Sequence, residues 1–139
     1  MEKTLVLVKP DGVVKGVVGD IISRFEKRGL KIIALKMLRL APDVAKLHYH
    51  EHQDKPFFVE LIDFITSGPL VAMVLKGDNA VQAVRNMMGP TNPGAAAPGT
   101  IRGDYALRMS SNVVHGSDSI TSANREIAIF FGDGEVYSN

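Results

Sequence analysis

The residues best suited to chemistry lie in one stretch, Asn112-Val113-Val114-His115-Gly116-Ser117-Asp118-Ser119. A short apolar run delivers a single imidazole, a glycine follows, and three small oxygen-bearing side chains come next. Ser117, Asp118 and Ser119 are all capping types, and Ile120, Ala123, Ile127 and Phe131 then recur at helical spacing, so a helix is expected to begin here. His115 would then stand beside unpaired backbone N–H groups at the positive end of a helix dipole. That setting favours an anion, phosphate above all. A free imidazole titrates near about pH 6.5, so at neutral pH it is mostly uncharged and can act as a nucleophile or a base.

Three cations elsewhere complete a pattern. Lys9, Arg85 and Arg102 each sit near a turn or loop, and Thr91, Asn92 and Asn112 add neutral donors. Of the adjacent Phe57 and Phe58, one must point away from whatever the other packs on and so offer a stacking face. Phosphoryl transfer calls for such a set: cations to offset charge on the equatorial oxygens, donors for sugar and phosphate, and an acceptor in line.

The elements that must position these groups follow from patterning. Thr4-Leu5-Val6-Leu7-Val8 is β-rich and almost wholly apolar, a buried strand, and Lys9-Pro10-Asp11-Gly12 reads as the turn that ends it. Val18, Ile21, Ile22 and Phe25 lie at i, i+3, i+4, i+7, an amphipathic helix stopped by Gly29. Leu30 to Leu40 is a second strand. Pro42 then opens a helix expected to carry Leu47 through His52. Phe57, Phe58, Leu61, Ile62 and Ile65 form another helix, Leu70 to Leu75 a third strand, and Ala80, Val81, Val84 and Met88 a helix capped by Asp78 or Asn79 that carries Arg85 off its apolar stripe. The segment from Gly89 to Thr100 is uncharged and holds prolines 90, 93 and 98, which argues for a stiff, shaped loop rather than a linker. Tyr105 to Met109 reads as partly extended.

Several alternatives fail on spacing. Glycines 12, 16 and 19 do not fit G-x-G-x-x-G, and no Gly-Lys-Ser/Thr follows, so neither common nucleotide-loop motif is present. His48, His50 and His52 lack the H-E-x-x-H order; on a helix only His48 and His52 would share a face, with no third ligand evident, so no metal site is assigned to them. The 139 residues suit a single domain, 1–139, and no cysteine is present, which excludes disulfides, thiolate metal sites and a cysteine nucleophile. Net charge is +1, giving no global field toward nucleic acid or membranes, so neither is an expected partner. With no apolar run long enough for a signal or a membrane span, a cytoplasmic location is expected.

The chain resembles the nucleoside diphosphate kinases along nearly its whole length. The resemblance is carried by Thr4 to Gly12, Arg24-Phe25, His48-Tyr49, Lys55-Pro-Phe-Phe58, Ser67-Gly68-Pro69, Thr91-Asn92-Pro93, Pro98 to Asp104, and above all Asn112 to Ser119. It implies a ping-pong exchange in which the γ-phosphate of a nucleoside triphosphate passes to Nδ1 of His115 and then to a second nucleoside diphosphate, with ATP, ADP and GDP among the nucleotides used. Glu126 is implied to hold the ring through its other nitrogen, with Ser117 close by and Tyr49 near the phosphates. Lys9, Arg85, Thr91 and Arg102 would clamp the phosphates, and Lys9 and Asn112 would also reach the ribose. Phe57 would stack on the base with Met109 opposite, which implies tolerance of many bases and both sugars. Mg²⁺ would be held mainly by the phosphates and water, without a protein carboxylate cage.

Plain β-α alternation points to a doubly wound parallel sheet. The resemblance implies instead an α+β, ferredoxin-like (βαββαβ) core with a four-stranded antiparallel sheet, and that expectation is the one adopted. It further implies a homo-oligomer, tetramer or hexamer. Pro90 is an uncommon residue ahead of Thr-Asn-Pro, and the tail after Phe131 is shorter than in many eukaryotic relatives, which leaves the subunit number open. Two rivals remain to be separated by experiment: a non-catalytic binding module on the same fold, and a phosphocarrier loaded by a partner kinase.

Overall fold

A computed structural model of the chain describes residues 1–138. Four strands form one sheet: β1 (Glu2–Val8), β2 (Lys31–Leu38), β3 (Leu70–Gly77) and β4 (Val114–Gly116). Their order is β2-β3-β1-β4 and every neighbouring pair is antiparallel. This is the ferredoxin-like α+β arrangement. Bare alternation misleads because β1 and β2 do run the same way, but β3 enters between them in the opposite sense.

Strands β1 and β3 are covered on both faces, which explains their nearly continuous apolar sequences. Val6, Val8, Val71, Met73 and Leu75 join one core with Ile21 and Phe25 of α2 (Val18–Lys27) and Val84 and Met88 of α5 (Ala80–Met88). Leu5, Leu7, Leu70, Ala72 and Val74 point the other way. They pack with Ala45 of α3 (Pro42–His48), Ile62 and Ile65 of α4 (Phe58–Ile65), and Phe130 of α7 (Ile120–Phe130). Leu5 to Val8 are wholly inaccessible. At about 1.5–3 kcal/mol for each such side chain, this strand anchors the molecule. Leu7 pairs with His115. Cross-strand partners share a face, so the imidazole is sent toward α3 and α7.

Two sequence expectations are corrected here. Lys9-Pro10-Asp11-Gly12 is not a free turn: Pro10 takes the first position of a short helix, α1 (Pro10–Lys15), where its missing N–H costs nothing. The helix expected through His52 ends at His48, and a 3₁₀ turn, His50–His52, follows, so His48 and His52 do not share a helical face. Arg102, expected near a loop, stands directly after the Gly89 to Thr100 segment in a further helix, α6 (Ile101–Tyr105), capped by Thr100, whose Oγ1 accepts from the Gly103 N–H at 3.0 Å. The expected helix after Ser117-Asp118-Ser119 is present, with Ser119 accepting from the Ser122 N–H at 3.0 Å. Asn79, rather than Asp78, stands at the start of α5.

Candidate active site

His115 lies in the middle residue of β4 with its ring partly exposed. Its Nε2 is 2.9 Å from Oε1 of Glu126 on α7, and that oxygen also accepts from Ser117 Oγ at 2.6 Å. Ser117 is fixed in turn to β1, its N–H donating to the Leu5 carbonyl and its hydroxyl accepting from the Leu5 N–H. Burial alone would raise the Glu126 carboxyl. The hydrogen bond and charge of His115, with the Ser117 hydroxyl, outweigh it and leave the group below its usual range. An ionised carboxylate therefore faces Nε2, which puts the ring proton on Nε2 and the free lone pair on Nδ1. Nδ1 makes no hydrogen bond to any described residue.

A cationic wall stands around the strand that carries this ring. Lys9 Nζ donates to Asn112 Oδ1 at 2.8 Å, and Asn112 Nδ2 donates to the Thr91 carbonyl at 3.3 Å. Burial, and then the charge of Arg102, pull the Lys9 ammonium down to about 8, with Asp11 partly opposing them. Arg102 is almost fully buried and donates to three backbone carbonyls: Nε to Asn112, Nη1 to Gly89 and Nη2 to Val114. Three of its five N–H groups are thereby committed, which leaves two for a ligand. Burial, followed by the charge of Arg85, lowers it to about 10. Arg85 reaches the same place from α5, donating to the Gly116 carbonyl at 3.3 Å. That approach requires Gly116: a Cβ there would meet Met88 Sδ at 2.7 Å and Val84 Cγ1 at 3.0 Å. The wall is thus built from the residue before α1 and from α5 and α6, segments far apart in sequence.

The turn before β4 is strained. Val113 is buried and holds φ at +72°, in the left-handed region that a β-branched side chain rarely enters, and the Val114 N–H closes back on the Asn112 carbonyl at 2.8 Å. Such a residue costs on the order of 1–3 kcal/mol, so neighbouring contacts must hold it.

The aromatic residues form a chain leading away from His115. The His115 ring meets His48 edge-on at 4.7 Å between centroids, His48 meets Tyr49 at 4.7 Å, Tyr49 meets His52 at 6.2 Å, and His52 meets Phe57 at 5.8 Å. Tyr49 is buried and its hydroxyl is pushed well above its ordinary range, by burial first and then by Glu126 and Asp11. Of the adjacent phenylalanines, Phe58 packs into the core and Phe57 is 42% exposed. Met109 stands exposed on a 3₁₀ turn, Met109–Ser111, and contributes no hydrogen bond to the cluster. Thr91 is exposed and enters the cluster through its carbonyl.

His48 was not picked out from the sequence as a site residue. It is buried against Phe130 and His115, and neither ring nitrogen has a partner. Burial, and then the neighbouring His115, keep it neutral. The sequence signals available were its place in the His48-Tyr49 piece of the resemblance and its spacing three residues after Ala45, with which it shares the buried side of α3. Ligating atoms of His48, His115 and Glu126 lie within 4.8 Å of one another. Glu126 Oε1 is already committed to His115 and Ser117, and both His48 nitrogens are enclosed, so this trio is organised as support for the His115 ring. Asp11, the carboxylate beside Lys9, receives the Val113 N–H.

Sheet topology and site together define the class: an α+β, ferredoxin-like fold with a carboxylate-paired histidine on a strand lined by cations. A family model described as nucleoside diphosphate kinase matches residues 2–136, and the chain belongs to that family. Among its relatives, a nucleoside diphosphate kinase of Archaeoglobus fulgidus is 59% identical over 136 residues, covering 98% of this chain and 90% of the relative. One from Bacillus cereus is 54% identical, covering 98% and 92%. Among solved structures, a halophilic nucleoside diphosphate kinase from Halobacterium salinarum in complex with CDP superposes with a TM-score of 0.97 at 50% identity, covering 99% of this chain and 91% of that one. The Aquifex aeolicus enzyme gives 0.95 at 42% identity, covering 98% and 99%. Among the described residues no helix is long and apolar enough to cross a membrane.

Proposed function

We propose that this single-domain protein exchanges terminal phosphates between nucleoside triphosphates and diphosphates, with His115 as the intermediate carrier. In the first half-reaction the Nδ1 lone pair forms a bond to the γ-phosphorus. The bond from that phosphorus to the β,γ-bridging oxygen breaks, and the oxygen leaves with the electron pair as part of the nucleoside diphosphate. Nε2 keeps its proton, and the positive charge that develops on the ring is offset by Glu126, which Ser117 steadies. Lys9, Arg85 and Arg102 offset charge on the transferring group and the leaving diphosphate, with Thr91 as a neutral donor and Tyr49 near the phosphates. Lys9 and Asn112 reach the ribose. The second half-reaction reverses these steps with another diphosphate.

The observation that carries this reading is the Glu126–His115 pair: it commits one ring nitrogen and leaves the other free, on a strand whose neighbouring residues are held by Lys9, Arg85 and Arg102. Exposed Phe57 offers the base a flat face, with Met109 opposite, and stacking of this kind accepts purines and pyrimidines alike. Mg²⁺ fits as a cation brought by the nucleotide: Glu126 Oε1 is engaged with His115 and Ser117, and Asp11 Oδ2 with the Val113 N–H. When bound it would neutralise phosphate charge. Exposed Leu35 and Met37 on the outer strand β2 support assembly into a tetramer or hexamer. A cytoplasmic location accords with nucleotide substrates.

Incubation with ATP labelled at the γ-phosphate tests the reading. Acid-labile label on His115, discharged by ADP, GDP or CDP, is expected. No label would favour the non-catalytic module, and label that no diphosphate can remove would favour the phosphocarrier.

A further inference from the structure

The segment Lys9-Pro10-Asp11-Gly12 does more than supply one cation. Each of its non-proline residues touches the strained turn at Val113. The Lys9 N–H donates to the Val113 carbonyl at 2.8 Å, and the Val113 N–H donates to Asp11 Oδ2 at 3.0 Å. Gly12 lies so close that an added Cβ would meet Val113 Cγ1 at 3.0 Å and the Val113 carbonyl oxygen at 3.2 Å. Both backbone groups of Val113 are therefore gripped by the start of α1, and its side chain is seated on Gly12. On one side of Val113 is Asn112, whose amide oxygen receives Lys9 Nζ; two residues beyond Asn112 along the strand is Val114, and then His115.

We propose that Asp11, seconded by Gly12, is a positioning residue for phosphoryl transfer: it holds Val113 in the left-handed turn that sets Asn112 and His115 in register with Lys9. The inference rests on His115 being the phosphoryl acceptor. Relaxation of Val113 to negative φ would swing the chain between Asn112 and His115, and a displacement near 1 Å at the acceptor is enough to cost roughly a hundredfold in rate. Glycine at position 113 would occupy the left-handed region without a clamp.

The test is a double-mutant cycle in the intact enzyme, read as the single-turnover rate of His115 phosphorylation by ATP, with thermal unfolding followed in parallel. Asp11→Ala should slow phosphorylation roughly tenfold or more, as expected for losing a charge-assisted hydrogen bond that fixes geometry. In a Val113→Gly background the same change should cost less than about threefold, because the clamp no longer has strain to hold. Gly12→Ala presses on Val113 but also on Val8 Cγ1 at 2.8 Å, so Asp11→Asn, which keeps the shape and removes the charge, carries the cycle should Asp11→Ala not fold. The proposal is overturned by an equal slowing in both backgrounds, or by a fall in melting temperature with the rate untouched. A loss that shrinks steadily as pH is lowered also overturns it, by assigning Asp11 to the Lys9 charge, which it raises, instead of to Val113. His115→Ala serves as the control: label retained there removes the premise, whereas full-rate labelling of His115 in Asp11→Ala removes only the inference.

Discussion

Lys9 is held as a charge in a place that resists it. Burial and Arg102 bring its ammonium down to about 8 from the ordinary 10.5. At pH 7 roughly nine-tenths of the free enzyme carries the charge, and at pH 9 roughly one-tenth does, by simple titration about that value. If protonated Lys9 is required to receive the phosphates, kcat/KM should fall as pH rises through 8. It should lose about tenfold by pH 9 and level off once the contribution of one charged hydrogen bond, about 1.5–3 kcal/mol, is gone. Bound phosphates raise the ammonium again, so kcat at saturating nucleotide should hold to higher pH. Lys9→Arg should flatten the kcat/KM profile, since a guanidinium stays charged throughout. The same site predicts a cost to stability. The folded state binds the proton less tightly than the unfolded state, so the penalty is fully present below about 8 and is relieved as pH climbs toward 10.5. Lys9→Met should therefore raise stability at pH 7 by something on the order of 1–3 kcal/mol while lowering kcat/KM. Initial rates across pH 6.5–9.5 with thermal unfolding on the same samples settle the matter. Identical flat kcat/KM profiles for the wild type and Lys9→Arg would refute the reasoning.

Other perturbations have outcomes fixed by the same geometry. Glu126→Ala removes the partner of Nε2 and should lower kcat by roughly 10- to 100-fold with little change in KM, measured by steady-state exchange. Loss of stability on acidification should include this group: its lowered carboxyl contributes above the ordinary carboxylate range and the contribution disappears as pH falls through the folded value. Arg102→Met strands the carbonyls of Gly89, Asn112 and Val114, so a fall of several kcal/mol in denaturant-measured stability should accompany the loss of activity. Phe57→Ala should raise KM by roughly 5- to 100-fold for purine and pyrimidine nucleotides alike, with kcat less affected.

How much of this was legible beforehand varied with the kind of signal. Strands β1 and β3 were plain because a strand buried on both faces reads as an unbroken apolar run. Helix α2 was plain from its 3.6-residue stripe. Strand direction was not, because β1 and β2 run parallel in either topology and only the insertion of β3 between them decides the sheet; the family resemblance supplied that. Pro10 was misread because a proline after a strand is equally good as a turn residue and as the first residue of a helix. The exposed member of the Phe57–Phe58 pair was open in sequence and is resolved by α4, whose inner face takes Phe58. His48 stayed hidden because its burial depends on α7 and β4 closing over it. The bonding of Arg102 was equally hidden, since its three acceptors are carbonyls at positions 89, 112 and 114, which no side-chain pattern reports. The cluster around His115 was visible as a set of residue types, but its assignment to roles came from the resemblance and not from spacing.

The central claim is that the Nδ1 atom of His115 carries the phosphate between nucleotides. Mass spectrometry and ³¹P NMR of the enzyme after brief exposure to ATP address it most directly. One phosphoryl group per chain on Nδ1 of His115, lost on adding a nucleoside diphosphate as the matching triphosphate appears, is the predicted result. Phosphate on another residue, or undiminished exchange by His115→Ala, would contradict it.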